Sequence, residues 1–369
     1  MTDFFSGAAL SNLTEHLLPG LWPFLVALLA CVVGVPVAVY LSRRYGVLAQ
    51  PGGRHAHRLP TPELGGLAMW AGFALAILVF LPKDLTSLGV LVVSGLAMSL
   101  LIIDDKRGMR PVVKLAIQVG LALLAVLVFG DQIKFFSLPG GRVVQLGLLI
   151  APVSVFWLVG MQNTVNFLDG ADGLAAGVIA IVALILMLAA GQLRQIQIVE
   201  MSGALAGCCA GFLLFNFPPA RIFMGDSGAH FLGIALGMIS ILGVAKVAVA
   251  FALAAPVLAL AVPIADTGWA ILRRRIKGTS VAAGDLLHLH HRLQSFGLDA
   301  RQTCFVFYAA TALLGGLGLT LFGHGRILAV VLVATAVLTS TVVADILQHG
   351  GWRIPAPWLA RLLGEPGTR

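Results

Sequence analysis

Residues 86–130 read TSLGVLVVSGLAMSLLIIDDKRGMRPVVKLAIQVGLALLAVLVFG, two long apolar runs on either side of one short charged island. Each run is about the length an α-helix needs to cross a hydrocarbon core. A charged island this narrow marks a membrane edge at which the chain turns back. The same alternation runs through all 369 residues, of which 59% are hydrophobic and only 11% charged. An ordinary soluble domain carries about 25% charged residues. The sequence therefore predicts an all-α, polytopic integral membrane protein with about 11 transmembrane helices. Expected spans are 22–41, 64–82, 86–103, 112–130, 145–161, 173–190, 199–217, 228–243, 247–271, 303–322 and 325–344. The longest polar stretch, 272–302, is too short to fold alone, so residues 1–369 are expected to form a single transmembrane domain.

Sorting the loops by parity gives the orientation. Eighteen of the 24 Lys and Arg fall on one side of this topology. Basic residues collect on the cytoplasmic side, which puts the N-terminus outside and the C-terminus inside. The formal charge of +8 then follows from membrane orientation, and no nucleic-acid partner is needed to explain it. Cys31, Cys208, Cys209 and Cys304 lie in apolar runs without a CxxC spacing and read as small core residues. The first 20 residues contain no Lys or Arg, and so lack the basic start of a signal peptide.

The polar islands are RHAHRLPTPELGG (54–66), DDKRGMRPVVK (104–114), QNTVNFLDGADGL (162–174), RIFMGDSGAHFLG (221–233) and RRRIKGTSVAAGDLLHLHHRL (273–293). Asp104 and Asp105 read either as an ordinary helix end or as a base or metal site. Lys114 is placed to hold phosphate as a point charge. Asn163, Asn166, Asp169 and Asp172 recur in steps of three, close to one face of a helical segment. Gly170 and Gly173 point to a break in that segment, and either aspartate is placed to cap the next helix. Asp226 lies between two glycines at a helix start, which suits a simple cap or a site approached closely by an anionic ligand. His288, His290 and His291 lack the i, i+4 spacing of a helical zinc site and read as phosphate donors or substrate positioners.

Carboxylates, amides, imidazoles and cations, with no obvious Ser or Cys nucleophile, suit phosphoryl transfer with a hard divalent ion, Mg²⁺ or Mn²⁺. A site at a membrane edge implies one lipid-borne and one soluble substrate. The competing reading is a transporter or proton relay, which calls for charges at mid-span and access from both faces. Here the spans are almost free of charge, and no internal repeat is evident.

The islands, in this order, resemble those of the polyprenyl-phosphate N-acetylhexosamine-1-phosphate transferases, cousins of the phospho-N-acetylmuramoyl-pentapeptide transferases. The form HLHHRL (288–293) is similar to the N-acetylhexosamine branch. The resemblance implies an enzyme of the bacterial inner membrane with its active site facing the cytoplasm. It would join a UDP-N-acetylhexosamine, most simply UDP-GlcNAc, to undecaprenyl phosphate with Mg²⁺ as cofactor. Carried over by motif, Asp226 is the principal metal ligand with Asn166 beside it. Asp104, Asp105, Asn166, Asp169 and Asp172 are the catalytic candidates. Arg54, His57, Lys114, Asn163, His288, His290, His291 and Arg292 are the substrate-binding candidates. The family includes dimers, although no interface is legible in the sequence. The chain departs from the pattern at Ala229, where a Ser is expected, and the resemblance leaves the following His230 without a role.

Overall fold

The computed structural model describes residues 7–49, 60–137, 143–243 and 300–321. The expected spans 247–271 and 325–344 lie outside these residues, as do Arg54, His57, His288, His290, His291 and Arg292. Within them the chain is mainly helical: α1 (Gly7–Tyr45), α2 (Gly65–Phe80), α3 (Leu85–Arg107), α4 (Pro111–Leu127), α5 (Ile150–Leu168), α6 (Leu174–Gln192), α7 (Ile196–Asn216), α8 (Gly225–Leu242) and α9 (Ala300–Leu321). Among the described residues six helices are long and apolar enough to cross a membrane, and α2 and α4 are shorter apolar helices.

Two small hairpins depart from the all-α expectation. In one, β1 (Leu48–Ala49) pairs antiparallel with β2 (Thr61–Pro62). In the other, β3 (Phe135–Ser137) pairs with β4 (Val143–Gln145). The fifth span also shifts along the chain. Its helix starts at Ile150 and runs on to Leu168, so Asn163 and Asn166 are helical, as their steps of three predict, although they lie past the expected end of the span at 161. Hydropathy alone ended the span early, because a helix can continue past its apolar stretch when its last turn faces polar partners.

Local chemistry sets several helix ends. Asp84 caps α3 by accepting a hydrogen bond from the Ser87 backbone N–H at 2.8 Å. The same carboxylate, held below the usual range mainly by that bond, also accepts from Gln197 on α7. Pro111 opens α4 at a position where its missing N–H costs nothing.

The helices pack by close backbone approach. A Cβ on Gly203, Gly207 or Gly211 of α7 would meet the carbonyl oxygens of Gly20, Phe24 and Leu28 of α1. Small residues four apart provide such contact in lipid, where apolar burial between helices supplies little drive. Among the six described helices long enough to span a membrane, α8 is the most enclosed, packed against α3 and α5. The Trp157 indole N–H donates to Ser240 Oγ across the α5–α8 contact at 3.0 Å. The outward side chains of α1, including Leu29 and Val33, are exposed and apolar, as a lipid-facing surface requires. The ends of α1, α3, α5 and α7 and the starts of α2, α4, α6 and α8 gather at one edge of the bundle, and the candidate site is built there.

Candidate active site

The site forms around the start of α8. Gly225 has φ +75°, and a Cβ there would sit 2.7 Å from both Asp105 Oδ2 and the Glu63 carbonyl oxygen. Only glycine fits a left-handed turn this crowded. The 62–66 segment is stitched to the same turn. Phe223 N–H donates to the Pro62 carbonyl at 2.8 Å, Gly65 N–H to Phe223 at 2.9 Å and Gly66 N–H to Met224 at 3.0 Å. Buried Ser42, near the end of α1, accepts from the N–H groups of Glu63 and Leu64 at 3.0 and 3.1 Å.

Asp104 and Asp105 are neighbours with different tasks. Successive helical residues point about 100° apart, so the two carboxylates face different partners. Asp105 accepts from the backbone N–H groups of Asp226 at 2.7 Å and Ser227 at 3.3 Å. It caps α8 from another helix, satisfying donors that the helix start leaves free. Asp104 is buried. Its Oδ1 accepts from Met109 N–H at 2.5 Å, and its Oδ2 lies 2.5 Å from Lys114 Nζ. Lys114 Nζ is also 2.5 Å from Asp226 Oδ2, so one ammonium bridges α3 and α8.

Asp169 ends α5, its N–H bonded to the Val165 carbonyl. Burial raises its carboxyl well above the usual range, followed by the negative charges of Asp226, Glu63, Asp105 and Asp172. Glu63 is pushed up to about 7, first by burial and then by Asp226 and Asp104. Asn166 is half-buried on the last turn of α5. One turn earlier, Asn163 donates to Gln118 Oε1 at 2.7 Å.

Asp172 stands a little apart. Its Oδ2 accepts from Ala220 N–H at 2.9 Å, and its carbonyl accepts from the Cys304 thiol. It braces the turn between α7 and α8. Buried Asn216 completes that brace, accepting from Gly173 N–H at 3.0 Å and donating to the Ile222 carbonyl at 2.9 Å. The Tyr308 hydroxyl of α9 donates to the Gly173 carbonyl at 2.6 Å.

The structure thus brings Asp104, Asp105, Lys114, Asn163, Asp169 and Asp226 to one edge, with Asp172 supporting the adjoining turn. Sequence reasoning missed Glu63, Ser42 and Gln118. Two of them carried a signal. Glu63 is the acid in its island, and Gln118 is an isolated amide in an apolar helix.

The carboxylates of Glu63, Asp104, Asp105, Asp169 and Asp226 act on one another electrostatically, and Lys114 is the cation paired into them. Such an excess of hard, anionic oxygen suits a divalent cation such as Mg²⁺. Among the described residues no three His, Cys, Asp or Glu side chains form a ready-made metal cage. Mg²⁺ needs none, because it binds through one or two carboxylates, waters and substrate phosphates.

Fold and site define a multi-pass membrane protein with an acidic, Lys-bridged centre at one edge of its helices. Residues 87–244 match glycosyl transferase family 4. The chain is 35% identical over 300 residues to a probable undecaprenyl-phosphate N-acetylglucosaminyl 1-phosphate transferase of Bacillus subtilis (strain 168), covering 80% of this chain and 83% of that one. It is 33% identical over 342 residues to a decaprenyl-phosphate N-acetylglucosaminephosphotransferase of Mycolicibacterium smegmatis, with 84% of each chain covered. A phospho-N-acetylmuramoyl-pentapeptide-transferase of a Synechococcus strain is 34% identical over 288 residues, covering 72% of this chain and 80% of that one. The chain belongs to glycosyl transferase family 4.

Proposed function

We propose that this chain transfers an N-acetylhexosamine-1-phosphate, most simply GlcNAc-1-phosphate, from its UDP-sugar to undecaprenyl phosphate. An oxygen of the lipid phosphate attacks the β-phosphorus of the UDP-sugar. The bond from that phosphorus to the bridging oxygen breaks, giving undecaprenyl-diphospho-sugar and UMP. This is the initiating step of a cell-envelope polysaccharide. The observation that carries the reading is Lys114 held between Asp104 and Asp226 at the membrane edge, in a chain whose relatives are named for this transfer.

In this reading Lys114 neutralises phosphate charge, and Asp104 keeps the ammonium in place. Asp105 fixes the backbone that presents Asp226. Asp226, with Asn166, would hold Mg²⁺, and Mn²⁺ is the alternative ion. When bound, the ion neutralises the diphosphate and polarises its oxygens. A phosphate monoester is already largely ionised near pH 7, its second pKa being about 6, so positioning outweighs proton removal as the task of Asp104. The charge bias of the loops supports a cytoplasmic site in the bacterial inner membrane, with about 11 helices in one domain. Carboxylates gathered at one edge, with nearly charge-free spans, do not favour a transporter.

The test is purified protein in detergent with undecaprenyl phosphate, Mg²⁺ and a panel of UDP-N-acetylhexosamines, following UMP and lipid product together. Lipid-dependent UMP from one sugar supports the reading and names the donor. Folded protein that releases no UMP from any of them overturns it.

A further inference from the structure

His230, absent from the expected motif, is fully buried on α8, one turn after Asp226. Its Nδ1 lies 2.7 Å from the Asp226 carbonyl oxygen, and its Nε2 lies 2.8 Å from Gln118 Nε2 on α4. Gln118 Oε1 in turn accepts from Asn163 Nδ2 on α5, which also donates to the Val159 carbonyl at 2.8 Å. Backbone carbonyls, which only accept, close this chain at both ends. That fixes every proton between them. Val159 requires the Asn163 nitrogen, and the Asn163 nitrogen requires the Gln118 oxygen. The Gln118 nitrogen therefore faces His230, whose Nε2 must offer a lone pair while Nδ1 carries the hydrogen. The imidazole is neutral and in a single tautomer.

The register matters as much as the bonding. Lys114 and Gln118 are four residues apart on α4, and Asp226 and His230 are four apart on α8, so each pair shares a helix face. The backbones of α4 and α8 scarcely approach one another. Two polar rungs join them instead, Lys114 to Asp226 and Gln118 to His230.

We propose that His230 is a positioning residue: through Gln118 it locks the first turns of α8 to α4 and sets the register in which Asp226 meets Lys114. It touches no reacting atom. Its effect on rate rests on the transferase reading above, whereas its tautomer does not.

Two measurements test it. In turnover assays Gln118→Met and His230→Asn each cut the rung, the latter keeping a donor for the Asp226 carbonyl but falling short of Gln118. Each variant is expected to lower kcat about 10- to 100-fold, the scale of a small misplacement of reacting groups, with the KM for the UDP-sugar within about twofold. The double variant should be no worse than the poorer single, because both remove one link. Unchanged kcat in the folded variants, or losses that multiply in the double, overturns the proposal. If His230→Asn does not fold, Gln118→Met carries the same test. Separately, ¹⁵N NMR of histidine-labelled protein, with the His230→Asn difference spectrum for assignment, should show a protonated Nδ1 and a bare Nε2. A protonated Nε2 overturns the relay whatever the protein's activity, and a wild type that makes no UMP counts against the function while leaving this measurement intact.

Discussion

The carboxylate of Asp105, at the end of α3, is hydrogen-bonded to the backbone N–H of Asp226, at the start of α8, with 2.7 Å between oxygen and nitrogen. The residue proposed to face the metal is thus held, through its own main chain, by a second carboxylate. Asp105→Ala removes a helix cap and should cost about 1 kcal/mol of stability. Turnover should fall, but less than in Asp226→Asn. Thermal melting and UMP release on the same preparations check both; an Asp105→Ala loss equal to that of Asp226→Asn would put Asp105 in direct contact with the reactants.

Removing the bridging ammonium leaves Asp104 and Asp226 facing each other without a counter-charge. Lys114→Met is expected to destabilise by about 1–2 kcal/mol, below the range for breaking a fully buried pair because the Asp226 side chain is partly open to water. Turnover should drop at least about 100-fold, as when a charged transition-state donor is lost. Adding Asp104→Asn should restore part of the stability and none of the activity. A Lys114→Met enzyme with near-normal kcat would remove Lys114 from the phosphate site.

Glu63 binds its proton more tightly in the folded protein, near pH 7, than an ordinary carboxyl at about 4.5. Between those values the folded state holds more protons than the unfolded one, so stability falls as pH rises through the window. Metal-free protein should melt at progressively lower temperature from about pH 5 to pH 8, and Glu63→Gln should flatten that slope. Asp169 titrates with the same sign and leaves a residual slope. Mg²⁺ that binds among these carboxylates should raise the melting temperature more at pH 8 than at pH 6. Equal shifts at both pH values would argue that the ion binds elsewhere.

Gly207 of α7 lies against the Phe24 carbonyl of α1. Gly207→Val should separate the two helices and cost about 1–3 kcal/mol through overpacking. Because the contact is remote from the carboxylates, kcat per folded molecule should hold steady while the folded yield drops. A selective loss of kcat would link this contact to the site.

Much of the architecture was legible. The runs of apolar residues located α1 to α8 to within a few positions, apart from both ends of α5, which lie later than expected, and the early start of α1. The islands named Asp104, Lys114, Asp169 and Asp226 as candidates, because charge at a membrane edge is costly without partners. The division of labour inside them was hidden. Asp104 and Asp105 look like a matched pair in one dimension, yet the helical twist sends one to a lysine and the other to backbone amides 121 residues away. Gln118 and His230 acquire meaning only through each other, across 112 positions. Glu63 was obscured because its surroundings come from the Asp226 turn and the end of α3, and no pattern local to 54–66 records them.

Gly66 and Gly228 touch main chain to main chain where the 62–66 segment crosses the start of α8; a Cβ on Gly228 would sit 2.8 Å from the Gly66 α-carbon, and one on Gly66 would run into Gly228 itself. A crowded pair of side chains can be relieved by trimming the neighbour. Here neither partner has anything left to trim. An added methyl at either position therefore has no second-site suppressor at the other, and the crossing under the active site has to be inherited whole.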